Sequence, residues 1–163
     1  MQEAQDLRYF VTAQQRFNVR AAVILTHAGQ VLVTPTTTPA GVPAVLVPGG
    51  AVKFGETGEA AALRELQEEL GLCLPALNFT GIIEAFFTRD AIDYQQLLLV
   101  YQAAVDVATA QRLACLDATT HDLPAGTTFS WQPEAQVATT ILPAALGQCL
   151  RPGVFHHLID RRG

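Results

Sequence analysis

Glutamates are concentrated in one short stretch of this 163-residue chain, where five of its eight fall between positions 56 and 69. Three of them, Glu65, Glu68 and Glu69, are spaced i, i+3 and i+4. On a helix this spacing brings neighbouring Cβ atoms to about 5–6 Å, where like charges repel one another. A divalent cation would relieve that repulsion, and carboxylate oxygens are the ligands that Mg²⁺ and Mn²⁺ prefer. The pattern is therefore that of a candidate metal site.

A glutamate-rich helix taken alone is more often a solvated surface than a metal site, but the surrounding residues favour the site. The segment from Gly50 to Leu72 resembles the Nudix box in full. That pattern is Gly, five residues, Glu, seven residues, then Arg-Glu-apolar-x-Glu-Glu-x-Gly-apolar, and all nine specified positions match. From average residue frequencies, a chance match is on the order of one in a million.

Weaker similarity extends outside the box. Val47-Pro48-Gly49-Gly50 resembles the Pro-Gly-Gly entry that is common in the Nudix family. The stretch from Gly81 to Thr88, which contains Glu84, is similar to a Glu-x-Phe-Phe strand of one small bacterial subgroup, and residues 142–159 resemble the tail of that subgroup. With the strand from Asn18, the resemblance covers most of residues 18–160.

The resemblance implies a role for each matching residue. Glu65, Glu68 and Glu69 would be metal ligands, and Gly50 would offer its backbone carbonyl. Either Glu65 or Glu68 would help to activate the attacking water. The supporting residues of the box are Arg64, which would orient a glutamate, and Glu56 and Gly71, which would hold the loop and end the helix.

The resemblance also implies an activity. The chain would be a Nudix pyrophosphohydrolase that uses Mg²⁺, with Mn²⁺ as a possible substitute, to hydrolyse a pyrophosphate bond in a nucleoside diphosphate linked to another group. Such hydrolysis depends mainly on positioning and on neutralising developing charge. Nucleoside triphosphates, ADP-ribose, nucleotide sugars and dinucleoside polyphosphates all remain open as substrates. The alternative is a nucleotide-binding or regulatory module of the same fold with weak or lost catalysis.

Two departures from the family pattern motivate that alternative. Lys53, the only lysine in the chain, stands where relatives usually carry Glu, and it is either a solvated surface residue or a phosphate contact. Gln95 and Gln96 stand where subgroup members commonly place a His-Glu pair, and neutral amides cannot replace that carboxylate. Either the metal is bound more weakly or Glu84, Asp90 or Asp93 substitutes; Glu84 is also a candidate substrate contact.

The elements that would position these groups follow from hydrophobic periodicity. The box predicts a helix from an N-cap at Thr57 to Leu70, with Ala62, Leu63, Leu66 and Leu70 on its apolar face and Gly71 as its stop. The other predicted elements are strands at 18–25, 31–33, 44–47 and 129–131, a hairpin of 79–88 with 96–105, a short helix within 107–116 and a helix over 139–150 with Pro143 in its first turn. Residues 34–42 are predicted to form a loop.

This order of elements suits an α/β domain. The resemblance makes it an α/β/α sandwich with a mixed sheet and the Nudix loop–helix–loop. We expect an N-terminal arm or short helix at 1–15 and a single domain at 16–163. Substrate selectivity is expected from the segments 34–43, 89–95 and 117–128, since binding residues concentrate on loops. Trp131, Phe86, Phe87 and Tyr101 could stack on a base, although aromatic residues in apolar strands are more often core.

Composition limits the partners and the compartment. The net charge of −5 makes nucleic acid polymers poor partners, whereas a metal ion can mask the charge of a small phosphorylated ligand. No apolar run approaches the roughly 20 residues that span a membrane, and the polar, acidic start of the chain is unlike a signal peptide. Three widely spaced cysteines favour the reducing cytoplasm. A homodimer is plausible by family resemblance.

Overall fold

A computed structural model describes residues 4–117, 121 and 123–162 of the chain. Its described strands are β1 (Arg8–Thr12), β2 (Gln15–His27), β3 (Gln30–Thr37), β4 (Pro43–Leu46), β5 (Gly49–Ala51), β6 (Asn78–Arg89), β7 (Ile92–Ala104), β8 (Ser130–Pro133) and β9 (His156–Arg161). Its described helices are α1 (Gly58–Leu70), α2 (Val107–Ala114), α3 (Glu134–Thr140) and a 3₁₀ helix (Ala144–Leu150).

One mixed sheet joins these strands. Its main path runs β4-β3-β2-β7-β6-β9, while β1 and β5 also pair with β2, and β8 pairs with β3. The β2–β7 and β6–β9 pairs are parallel, and the other strand pairs are antiparallel. The long strand β2 is therefore the centre of the sheet, and both β5 and the cavity described below are built on it.

Side chains alternate between the two faces of a sheet along each strand, so β2 presents apolar residues on both faces. Helices pack on each of these faces. Ala21, Val23 and Leu25 of β2 pack in one core cluster with the buried residues of α1 and with Leu113 of α2. The alternate residues Ala22 and Ile24 pack in a second cluster with buried residues of α3 and the 3₁₀ helix. The α/β/α arrangement with a mixed sheet is thus confirmed.

The helix of the box begins and ends where the sequence predicts. The Thr57 hydroxyl accepts a hydrogen bond from the backbone N–H of Ala60 at 3.1 Å, and Gly71 adopts a left-handed conformation with φ 59°. Its apolar face differs in one position from the prediction, since Ala61 is fully buried and Leu63 only partly. The remaining face of α1 is free to carry charge.

The predicted hairpin and several shorter elements are also present. β6 and β7 form the hairpin, with a tighter turn than expected at Asp90 and Ala91, which both have positive φ. The short helix within 107–116 is α2, and the strand near Trp131 is β8. None of the helices in the described part of the chain has the length and hydropathy of a membrane-spanning segment.

Other boundaries were wrong. The short helix considered for residues 1–15 is instead a strand, because Arg8–Thr12 pairs with β2. The predicted loop at 34–42 is shorter, because β3 extends to Thr37 and pairs with β4. The predicted helix at 139–150 is two helices: α3 ends at Thr140, and the 3₁₀ helix starts only after Pro143. Proline lacks an N–H and disfavours helical backbone in the residue before it, which explains the break.

Candidate active site

Strand β5 brings the backbone of the Pro-Gly-Gly segment against the charged face of α1. A Cβ built on Gly50 would lie 2.2 Å from the carboxyl carbon of Glu65, so the Glu65 carboxylate fills the space that a side chain at position 50 would take. The neighbouring Gly49 donates its N–H to Glu69 Oε2 at 3.4 Å. The two glycines therefore place backbone groups beside two of the three clustered carboxylates.

Arg64 is the centre of the site. Its Nε donates to Glu56 at 2.8 Å, and its Nη1 donates to Glu65 at 2.8 Å and to Glu68 at 3.1 Å. Its Nη2 donates to Glu56 at 3.1 Å and to the carbonyl of Ala51 at 2.9 Å. These bonds raise the pKa of Arg64, and those that it donates to Glu56 contribute most. One guanidinium thus joins the loop, β5 and α1, as its planar array of donors allows.

Glu56 closes the loop between β5 and α1. Its Oε2 accepts from the backbone N–H of Lys53 at 3.0 Å in addition to the bonds from Arg64. Burial opposes ionisation of this carboxyl, but the bonds from Arg64 and Lys53 outweigh it, so that the pKa of Glu56 is lowered. Glu56 therefore stays charged and holds the loop. The resemblance implies this same role for Glu56.

Glu69 is in a different environment from Glu68. Burial and then the nearby charge of Glu65 raise the pKa of Glu69 to about 7. Glu68 is 39% exposed and shares Arg64 Nη1 with Glu65. Crowded carboxylates of this kind are stabilised by a nearby cation.

The donor set suits a hard divalent ion. Glu65 lies against Gly50, Glu69 accepts from Gly49, and Glu68 shares Arg64 with Glu65. Oxygen donors are what Mg²⁺ takes. Among the described residues, no three His, Cys, Asp or Glu side chains are already gathered as a metal cage. Glu65 and Glu68 both accept hydrogen bonds from Arg64 Nη1.

A cavity of about 860 Å³ opens beside this cluster, and Gly49 belongs to both. Five of the nine arginines in the chain line it, and among the described residues Asp90 is the acidic one in its lining. An excess of guanidinium groups suits an anionic ligand. The arginines are Arg8, Arg16, Arg20, Arg89 and Arg162.

Arg20 links the cavity to the carboxylates. Burial and then the charge of Arg8 lower the pKa of Arg20, whereas the charges of Glu65 and Glu69 act in the opposite direction. The Arg20 guanidinium therefore lines the cavity and also interacts electrostatically with the α1 carboxylates. A phosphate chain that enters the cavity would meet this cation next to the glutamates.

Two predicted substrate contacts lie elsewhere. Glu84 projects from β6 and pairs with His157 of β9 at 3.2 Å, and it does not join the Arg64 network. Lys53 sits in the loop, where its backbone is bonded to Glu56 and bridges to Asp6 of the N-terminal segment. Neither residue belongs to the lining of the cavity.

The predicted selectivity segments contribute unequally. Residues 36–40 and 89–90 line the cavity, as does Tyr94. Of the third segment, 117–128, residues 118–120 and 122 lie outside the described residues.

The polar floor of the cavity consists of Arg16, Asn18, Arg20 and Gln96, of which the sequence analysis singles out only Gln96. For Asn18 the sequence predicts a place in a buried strand and no further role. The signal was present, since Arg16, Asn18 and Arg20 alternate along β2 and continue the face of Ala22. A buried strand that carries polar residues on one face predicts a polar cavity on that face.

The two glycines give a first test of the site. In Gly50→Ala the three atoms nearest to the new Cβ all belong to the flexible Glu65 side chain, so we expect kcat to fall by about 10-fold or more with the fold retained. In Gly49→Ala the alanine must adopt a φ of 152°, and its Cβ would lie 2.1 Å from the backbone carbonyl oxygen of Ala21. We therefore expect it to lower the free energy of unfolding by about 1–3 kcal/mol. Thermal melts and steady-state kinetics separate the two outcomes; equal Tm losses in both variants would contradict this geometry.

Comparison with known proteins agrees with this architecture. The family model of the NUDIX domain matches residues 16–146. The fold is similar to the mMutator MutT protein of Bacillus halodurans, with a TM-score of 0.60 and 16% identity over 86% of each chain. It is also similar to a mutT/nudix family protein of Listeria innocua, with a TM-score of 0.58 and 22% identity over 82% of this chain and 88% of that one.

A NUDIX hydrolase of Nitrosomonas europaea shares the fold as well, with a TM-score of 0.55 and 15% identity over 89% of this chain and 79% of that one. At these identities the structural likeness speaks for the fold alone. The family match spans most of the chain and includes every residue of the box. The chain therefore belongs to the Nudix family of hydrolases.

Proposed function

We propose that this Nudix hydrolase uses Mg²⁺ to cleave the pyrophosphate bond of a nucleoside diphosphate linked to a further group. The observation that carries the proposal is the Arg64 network, which holds Glu56, Glu65 and Glu68 against β5 beside an arginine-lined cavity that Gly49 also lines. Pyrophosphate hydrolysis in general follows from the family. The metal, the nucleotide and the residue roles are the proposed part.

Each group of the site has a task in this proposal. The cavity arginines bind the phosphate oxygens, and Arg20 places the scissile bond near α1. Glu65, Glu68 and Glu69 would hold Mg²⁺ together with the carbonyl of Gly50. When bound there, the ion would supply charge neutralisation on the phosphate oxygens and a water of lowered pKa.

The remaining residues act through position. Arg64 fixes Glu65 and Glu68, so that one carboxylate can take the proton of the attacking water while the others hold the ion. Glu56 keeps the loop closed over β5. Catalytic hydrogen bonds need this kind of placement, because misplacement by about 1 Å can cost 10²-fold in rate.

A binding module without turnover is the competing function. Gln96 favours it, because this buried amide supplies no carboxylate to the site. The two functions are separated by a panel of nucleoside triphosphates, ADP-ribose, nucleotide sugars and dinucleoside polyphosphates, each incubated with Mg²⁺, Mn²⁺ or EDTA. We expect metal-dependent release of a nucleoside monophosphate from at least one of them. No turnover of any substrate, together with no metal binding by calorimetry, would overturn the proposed hydrolase.

Metal binding is expected to raise Tm. At a Mg²⁺ concentration about 100-fold above Kd, linkage adds about 2.7 kcal/mol to the free energy of unfolding. For a chain of this length that corresponds to a Tm higher by roughly 5–10 °C. The control is NaCl at equal ionic strength, and the comparison variant is Glu65→Gln combined with Glu68→Gln. A shift that NaCl reproduces, or that the double variant retains in full, would contradict the metal-site assignment.

A further inference from the structure

A polar pair lies on the floor of the cavity, where β2 and β7 run parallel. Asn18 and Gln96 are directly opposite in the register, and Asn18 Nδ2 donates to Gln96 Oε1 at 3.4 Å. Asn18 is only 5% exposed, yet within the described residues its Oδ1 has no hydrogen-bond partner. A buried acceptor without a partner costs free energy, so its presence in a cavity wall points to a ligand that donates to it.

Both residues line the cavity, and the pair contains two different hydrogen-bonding groups. Asn18 Oδ1 is an acceptor, and the amide nitrogen of Gln96 is a donor because the oxygen of that amide already accepts from Asn18. Side by side, they complement a planar group that carries an N–H next to a carbonyl or ring nitrogen. Nucleobase edges carry this combination.

Aromatic and cationic groups flank the pair along the strands. Two residues before it in the register lie Arg16 and Tyr94, and Tyr94 stacks on Phe87 with ring centroids 4.9 Å apart and planes 4° from parallel. Two residues after Asn18, about 7 Å along the strand, lies Arg20. Beyond Arg20 is Gly49 with the α1 carboxylates. The cavity thus runs from an aromatic end, across the amide pair, to a cationic end at the glutamates.

We propose that Asn18 and Gln96 form the base-recognition subsite, in which Asn18 Oδ1 accepts from a nucleobase N–H and the Gln96 amide nitrogen donates to the adjacent acceptor. The base lies near Phe87 and Tyr94, and the phosphates extend past Arg20 to the glutamates. The inference rests on the proposed function in that it takes the ligand of this cavity to be the nucleotide substrate. It adds that the chain selects substrates by their base and not only by their phosphates.

The test measures binding without catalysis. Calorimetry in EDTA compares the four ribonucleoside 5′-monophosphates with ribose 5-phosphate, which has no base. We expect at least one monophosphate to bind about 10–100-fold more tightly than ribose 5-phosphate, the range for a satisfied buried polar group. Equal affinity for ribose 5-phosphate and every monophosphate would overturn the inference.

Matched variants identify the residues. Asn18→Leu and Gln96→Leu are expected to remove the preference for the base, while affinity for ribose 5-phosphate changes less than about 2-fold and Tm stays within about 4 °C. Gln95→Leu is the control, because Gln95 is the exposed neighbour whose side chain leaves the opposite face of β7. A purely structural Asn18 would instead lower Tm and weaken both ligands equally, and that result would overturn the assignment.

The outcomes also separate this inference from the proposed function. Base-dependent binding in a chain that hydrolyses nothing would retain the subsite and reject the hydrolase. Metal-dependent turnover at equal kcat/KM for all bases, with no base-dependent binding, would retain the hydrolase and reject the subsite.

Discussion

Replacing Glu68 with glutamine is expected to lower kcat by about 10²–10⁴-fold and leave the fold intact. Glu68 is 39% exposed and ends on the polar face of α1, so the change removes one charge and little packing. Glutamine retains the length of the side chain and a carbonyl oxygen. It binds a hard cation more weakly than a carboxylate does, and it cannot take a proton from water.

The matched control is Glu59→Gln on the same helix. Glu59 Oε1 accepts from the backbone N–H of Leu77 at 2.9 Å, a bond that a glutamine oxygen can keep. We expect this variant to retain wild-type kcat and Tm. Steady-state kinetics on the substrate found by the panel and titration with Mn²⁺ provide the readouts. Activity in Glu68→Gln within a few-fold of the wild type would show that the metal-site assignment is wrong.

The box helix was predictable because every signal for it is local. Thr57 caps a run with helical periodicity, Gly71 takes the left-handed conformation that ends it, and the glutamates follow from residue spacing alone. The motif also fixes which residues meet at Arg64, although the sequence pattern does not contain the bond from Arg64 to the Ala51 carbonyl. Contacts between residues within a few helical turns of one another can be predicted from their spacing in the sequence.

The partners that meet in the cavity were not predictable in this way, because their meeting depends on long-range strand pairing. Asn18 and Gln96 are 78 residues apart and meet only because β2 and β7 run parallel in one register. The N-terminal strand is a similar case, since its apolar residues Tyr9, Phe10 and Val11 are exposed and the strand is held by its partner β2. The strand at His156–Arg161 likewise acquires its conformation from β6. Tertiary pairing overrides weak local preference in each case.

The structure shows the contacts of the three carboxylates that could replace the one missing near Gln96. Of the three replacements considered, Glu84 pairs with His157, and Asp93 accepts from the Thr88 hydroxyl at 2.6 Å. Asp90 lies at the hairpin turn, 3.8 Å from Arg89. Among the described contacts none of these carboxylates joins the Arg64 network. The position where the resemblance places a carboxylate is here part of an amide pair, so the proposed metal site depends on the carboxylates of α1.

Replacing Arg64 with alanine is expected to damage both stability and activity. The change removes bonds to Glu56, Glu65, Glu68 and the Ala51 carbonyl, and leaves three half-buried carboxylates close together. We expect the free energy of unfolding to fall by about 2–4 kcal/mol, and Tm by roughly 5–15 °C. We expect kcat to fall by about 10²-fold or more, because Glu65 and Glu68 lose their orientation.

Arg64→Lys distinguishes charge from geometry. Lysine keeps the positive charge, but its single ammonium cannot donate to Glu56, Glu65 and a carbonyl in fixed directions. We expect it to recover part of the lost Tm and little of the lost kcat. Full recovery of kcat would mean that Arg64 acts as a charge only, which contradicts the positioning role.

A double-mutant cycle tests whether Arg64 and Glu56 hold the loop as a pair. Glu56 takes two of the Arg64 bonds and holds the Lys53 backbone, so Arg64→Ala and Glu56→Gln should not add. We expect the double variant to be more stable than additivity predicts by about 1–2 kcal/mol, since Glu56→Gln removes a carboxylate that Arg64→Ala would leave unpaired. Urea unfolding with and without Mg²⁺ measures this coupling. Additive losses would place the two side chains in separate roles, and the loop would then not be held by this pair.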